Sequence, residues 1–269
     1  MLTVDQIKEN WDRLIQFIST AFDGDRKDNL LKMYNELDQR VAEAPASGKI
    51  FFHSAFPGGY LHHVLKVIEL APKYSDLWIS SGGEKNYSDE ELIFVALNHD
   101  LGKLGSLTDA YFMPTYENWK VKRGIRYEGN PAVEYMKTAD NSLYFLQAYN
   151  IKVTENEYLG IKLHDGLYDE SNKSYFISYS PTNKLRILPH IIHTADFYAM
   201  RLEYEEWRKS SDAQTFLHGQ VDTNQFRTKT TPKKLAETLT KNTNVEDYNP
   251  DMFDKIFGST DDGAETGDK

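Results

Sequence analysis

The chain of 269 residues predicts an all-α (mainly α) fold, a helical bundle with short irregular or β-hairpin insertions. Three observations carry this expectation. Nearly every segment with periodic apolar residues repeats at helical spacing. Ser88 with Glu91 and Thr154 with Glu157 match the capping box, each directly before an apolar run. Strand-like alternation is confined to short pieces such as SYFISYS at 174–180.

Taken in order, the first elements are two amphipathic helices, about Val4 to Phe22 and Lys27 to Glu43, separated by the turn-like DGD. Together they make an N-terminal unit, residues 1–49, that packs on the core. The stretch APASGKIFFHSAFPGGY, rich in Pro, Gly and small residues, is an ordered loop leading into a helix near Tyr60. The two capped segments are helices ending near His99 and His164. The connection GSLTDAYFMPTYENWKVKRGIRYEGNP between them is too long for a simple turn and reads as functional or lid-like. A helix is expected from Ala132 to Tyr149 and another from about Leu188 to Arg208, completing a core of residues 50–209. Residues 210–257 form a partly helical extension, with a short basic helix at TPKKLAETLTKN. Residues 258–269 have the composition of a disordered acidic tail. The chain has no internal repeat.

The totals exclude several function classes. No apolar stretch is long enough to span a bilayer, and the charged MLTVDQIKENWDRLI lacks the apolar centre of a secretory signal, so a cytoplasmic location is expected. With no cysteine, disulfides and thiolate chemistry are ruled out, and any metal site must be built from His, Asp and Glu. A net charge of -10 argues against stable binding to duplex nucleic acid. An acidic protein that handles phosphates needs metal ions or a few well-placed basic residues.

The histidines stand where the apolar pattern points inward. In ALNHDLGKLG, His99 continues the line of Leu92 and Ala96, and Asp100 continues the line of Ile93 and Ala96. Burying both is costly unless they hydrogen-bond to each other, with Gly102 ending the helix as its C′ residue, or bind a cation. In GGYLHHVLKVIEL, His62 aligns with Lys66, Glu69 and Lys73, whereas His63 aligns with Val67 and Leu70 and faces the core. Alone, His63 reads as a satisfied core histidine. Asp196 flanks the stripe Leu188, Ile192, Ala195, Ala199 and Leu202, with His193 one turn earlier on a neighbouring line. His164 ends the second capped helix, followed by Asp165 and Gly166. Four inward or end-of-helix His/Asp clusters in one chain point to a shared centre. Mixed imidazole and carboxylate ligands suit divalent ions such as Mn, Mg, Fe, Co, Ni or Zn.

The long connection supplies Lys120, Lys122, Arg123 and Arg126 among Tyr116, Trp119 and Tyr127, a combination suited to a phosphate beside a stacked base. The same residues also fit a solvated basic loop. Glu117, Glu128 and Asp109 are carboxylates in that loop that spacing does not single out as acid or base.

In order and context, GGYLHHVLKV, ALNHDLGKLG, LHDG and IHTADFYAMRLE resemble the HD-domain metal-dependent phosphohydrolases over residues 50–208. The nearest flavour is the GGLLEH branch that includes HD-domain 3′-to-5′ exoribonucleases. The resemblance implies one or two divalent metals held by His63, His99, Asp100 and Asp196, with His164 as a further ligand or phosphate-facing histidine and His193, the residue preceding the metal aspartate, as another candidate ligand. It implies catalytic roles for Asp100, Lys103 and His164, Lys103 contacting a substrate phosphate or a neighbouring carboxylate. Many relatives carry a histidine where this chain has TADNSLYFL, which makes Asp140 a candidate oxygen ligand, and Asp165 stands where some carry a second histidine. The expected activity is hydrolysis of a phosphoester in a nucleotide or short oligonucleotide by metal-activated water, by a chain compatible with homo-oligomerisation. An HD-fold nucleotide-binding regulator with little turnover, or an HD-type di-iron oxygenase, are the alternatives.

Overall fold

The computed structural model describes residues 1–177 and 184–217. Helix α1 (Val4–Ala21) starts on a reciprocal cap: Thr3 Oγ1 accepts the Gln6 N–H, and Gln6 Oε1 accepts the Thr3 N–H at 2.8 Å. Its apolar face, Ile7, Trp11, Leu14, Phe17 and Ile18, is buried against the helix of residues 59–80. The expected second helix is split into α2 (Gly24–Glu36) and α3 (Asp38–Glu43). At Leu37 the N–H is shared between the Met33 and Tyr34 carbonyls, which tightens the turn and redirects the chain.

The centre of the bundle is α4 (Gly59–Ser80), packed on α5 (Asp89–Asn98) and α10 (Leu188–Arg208). Helix α5 is buried continuously from Leu92 to Asn98, so it runs through the core rather than over it. Its Ser88–Glu91 box forms as predicted, as does the Thr154–Glu157 box of α8 (Glu155–Lys162). Buried Glu157 also takes the Arg26 guanidinium, whose other arm binds Glu90 at 2.7 Å and whose face lies 4.0 Å over the Phe94 ring. That one side chain ties α2 to α5 and α8.

The long connection folds into a hairpin-like insertion. Strand β1 (Phe112–Pro114) pairs antiparallel with β2 (Tyr127–Gly129), and α6 (Asn118–Lys122) lies between them. Helix α7 (Thr138–Ala148) begins later than the expected Ala132. The Asn130 side chain and carbonyl accept the N–H groups of Ala132 and Val133, each at 3.0 Å, so these residues turn instead. The described part of SYFISYS is likewise not strand. It belongs to the single turn α9 (Lys173–Phe176), closed by the Ile177 N–H on the Lys173 carbonyl at 2.9 Å, and 178–180 lie outside the described residues. Helix α11 (Ser211–Leu217) starts the C-terminal extension. The basic helix expected at 231–242 and the acidic tail lie outside the described residues. No described helix is long and apolar enough to cross a membrane.

Along α10 the buried stripe holds for Leu188, Ile192, Ala195 and Ala199, but Leu202 is 45% exposed. The next inward position is Glu203, 3% exposed. The stripe continues by steps of four, and it ends on a carboxylate.

Candidate metal centre

The His-Asp pair is built by a helix end and a tight turn. His99 caps α5, and residues 101–104 form one 3-10 turn. Gly102 does not end the helix as the expected C′ glycine; it allows close packing, since a Cβ there would sit 2.2 Å from the Thr138 carbonyl oxygen of α7. The Ser142 hydroxyl accepts the Gly102 N–H at 2.8 Å and lies 3.0 Å from the His99 carbonyl oxygen. The Asn141 amide donates to Gly102 O and Gly105 O at 2.8 and 2.6 Å. The turn behind the two candidate ligands is therefore fixed from α7.

Four side chains from three helices and this turn converge. His63 Nε2 lies 3.0 Å from Asp196 Oδ1 and 3.6 Å from Asp100 Oδ2; His99 Nε2 lies 3.5 Å from Asp100 Oδ2 and 4.0 Å from Asp196 Oδ1. Donors about 2.1 Å from a common ion are about 3.0–3.5 Å apart at octahedral or tetrahedral angles; two of these separations fall in that range, and the pairs at 3.6 and 4.0 Å are slightly wider than such a shell. Asp100 reaches a fifth group through its other oxygen, with Oδ1 3.5 Å from His164 Nε2, and Asp165 Oδ1 lies 3.6 Å from the same nitrogen. His63, His99, Asp100 and His164 are buried, while the Asp196 side chain retains 21% exposure and marks the mouth.

Hydrogen bonds on the far side of each ring decide which nitrogen faces inward. His99 Nδ1 meets the Ala96 carbonyl and His164 Nδ1 the Ile161 carbonyl, both at 2.8 Å. Each carbonyl requires a donor, so a neutral ring presents the Nε2 lone pair to the cluster. His63 Nδ1 donates to Glu203 Oε1 at 2.9 Å, and Glu203 Oε2 accepts the Ser54 hydroxyl at 2.6 Å. His63 Nε2 and His99 Nε2 are buried without a partner of hydrogen-bond geometry. Lone pairs and carboxylates crowded together out of water call for a cation, and a divalent ion fits this donor set.

The electrostatics show the same demand. Burial holds His99 down at about 4, against the pull of Asp100 and Asp196. Burial also opposes charging of His63, but Glu203 and Asp196 prevail and lift it to about 10. For His164 burial is again outweighed, by Asp165 and Asp100, which lift it to about 9. Burial would raise Asp100, yet Lys103 and His99 hold it well below the usual carboxylate range. Protons on His63 and His164 thus stand where a cation's charge would. The Lys103 ammonium, 2.6 Å from Asp100 Oδ2, neutralises the pocket side of the cluster.

The other expected site residues fall outside this shell. His193 Nδ1 donates to the His164 carbonyl at 2.8 Å, and its ring fills the space where a Gly166 Cβ would come within 2.5 Å, so it positions the His164 turn. Asp140 is turned to the Lys162 ammonium and is not among the converging groups. Of the basic loop, Lys120 is held by Glu117 and by Glu128 at 2.8 Å, Arg123 lies 5.4 Å over the Trp119 ring, and Lys122 is exposed. Arg126 and Tyr127, with Tyr116, line a cavity of about 350 Å³ that Lys103 also lines.

Sequence reasoning missed Glu203, Ser54 and His53. His53, its ring nitrogens buried and without partners, packs 4.8 Å from the His63 ring. Glu203 stands four after Ala199 and Leu202 three after it, and helical spacing alone does not choose between them. His53 and Ser54 carried no signal, because a loop has no periodicity. Comparison of the chain with protein-family models, curated proteins and solved structures finds no match.

Proposed function

We propose that this chain is a metal-dependent phosphohydrolase of the HD-domain type, acting on a nucleotide or short oligonucleotide. The observation that carries the reading is the convergence of buried His63 Nε2, His99 Nε2 and Asp100 Oδ2 with Asp196 Oδ1 at the mouth, the imidazole nitrogens 3.0–4.0 Å from the carboxylate oxygens, with ring tautomers set from behind. A bound divalent ion supplies a polarised phosphoryl oxygen and a water acidic enough to be hydroxide near neutral pH. The protein's own part is to hold the ligands rigid, turn each ring so that its Nε2 faces the cluster, and offer cationic groups to the phosphate. Lys103 is placed for that last role, between Asp100 and the cavity.

The test is elemental analysis of the purified protein together with a phosphoester panel in Mn, Mg, Co and Ni. The expected result is bound metal and turnover, with both lost in His99→Ala and Asp100→Ala variants. Full activity in either variant overturns the reading. Bound nucleotide without turnover in any metal points to a regulator instead.

A further inference from the structure

The cavity of about 350 Å³ between α1, the loop before α4 and the hairpin insertion has a composition that the metal cluster does not explain. Its walls are aromatic and apolar, with Phe56, Tyr111, Phe112 and Tyr127 prominent and Ile7 and Leu104 among the others. Among the described residues its charged side chains are Lys103, Arg126 and Arg40, the last held by the Ser106 and Leu107 carbonyls, against the carboxylate of Glu43, in a chain of net charge -10. Burial raises Glu43, which weakens that one negative charge further. Low-dielectric walls focus such a field, so the cavity favours an anion.

We propose that this cavity holds the ring of a single phosphorylated, nucleoside-sized ligand, and that the substrate is therefore a mononucleotide rather than an oligonucleotide. The inference rests on the phosphohydrolase reading for the role of the phosphate. The cavity lies at the small end of ligand sites, which run from about 300 to 1,000 Å³. It takes one planar group among its aromatic side chains, with the phosphate directed along Lys103 toward Asp100, 2.6 Å from its ammonium. An oligonucleotide needs a cationic track beyond the first residue. Of the insertion's cations, Lys120 is paired with Glu117 and Glu128, Arg123 lies over Trp119, and Lys122 by itself makes no track. Arg126 also donates to the Val121 carbonyl at 2.9 Å, which fixes the guanidinium in the cavity wall.

The experiment is calorimetric titration of the metal-loaded full chain with the common nucleoside monophosphates, the matching dinucleotides and inorganic phosphate, repeated on Thr115→Trp, which narrows the cavity from the insertion side. Hydrogen exchange on the unaltered protein with and without nucleoside monophosphate locates the contact should the variant not fold. The expected result is a monophosphate that binds at least tenfold more tightly than its dinucleotide or phosphate, weakens at least tenfold in Thr115→Trp, and protects residues 110–116 and 124–129. Equal affinity for the dinucleotide, or no protection of those residues, overturns the proposal. Tight monophosphate binding without phosphate release in any metal supports the cavity assignment and overturns the hydrolase reading instead.

Discussion

Glu203 bonds His63 Nδ1 with one oxygen and Ser54 with the other. A carboxylate behind a ligating imidazole fixes the tautomer and strengthens the donor. Glu203→Gln keeps the shape and the possibility of accepting from Nδ1 but removes the charge. Metal affinity is expected to fall about 10- to 100-fold, measured by competition with a chelator; unchanged affinity would show that Glu203 serves packing alone. The same centre sets a pH dependence. His63 at about 10 and His164 at about 9 lie above the ordinary value of about 6.5. Their stabilisation of the metal-free protein is therefore complete below about pH 6.5 and lost as pH rises through 9 to 10. Metal must displace those same protons, so its affinity rises over that interval. Melting of chelator-treated protein should become easier from neutral to alkaline pH while the stabilisation by added Mn grows. An affinity flat across that range contradicts the assignment.

At the scale of elements, the contact of α7 with the turn after α5 is where ligand geometry is set. Gly102→Ala places a methyl group 2.2 Å from the Thr138 carbonyl oxygen and 2.8 Å from Asn141 Cβ, both on α7. The turn or the helix must shift, at an expected cost of about 1–3 kcal/mol in chemical denaturation, with weaker metal binding because His99 and Asp100 move with the turn. Ser142→Ala leaves the buried Gly102 N–H without its acceptor and is expected to cost about 1–3 kcal/mol. Its effect on metal should be smaller, since no clash is introduced. The cap of α1, a helix that carries no candidate ligand, offers a control: Thr3→Ala should cost about 1 kcal/mol and leave metal content unchanged.

For the whole molecule, metal binding and folding share one free energy, because His63, His99, Asp100 and Asp196 are brought together only when α4, α5 and α10 pack. A ligand at a hundredfold excess over its Kd stabilises by about 2.7 kcal/mol. The unaltered protein should therefore melt at a higher temperature in saturating Mn than in chelator, and His99→Ala should lose that difference. A shift that survives in His99→Ala places the metal elsewhere.

The sequence by itself determined the helical class, the capped starts of α5 and α8, and the inward direction of His63, His99 and Asp100, since periodicity and capping are local properties of the chain. It placed Asp196 correctly beside the α10 stripe and His62 on a polar face, where it lies 3.8 Å from Glu206. It could not decide between Leu202 and Glu203, because steps of three and four are both helical and the choice depends on which partner, here His63 and Ser54, waits across the interface. Nor could it divide the basic loop. Lys120 and Arg123 find partners within the insertion, while Arg126 and Tyr127 turn to a cavity whose other wall is α1, more than a hundred residues away in the chain. His193 and Asp140 show the same limit: both sit at plausible helical positions, and only packing turned one to a carbonyl and the other to a lysine. Direction along a helix is written in its spacing, but the partner met there belongs to the tertiary structure.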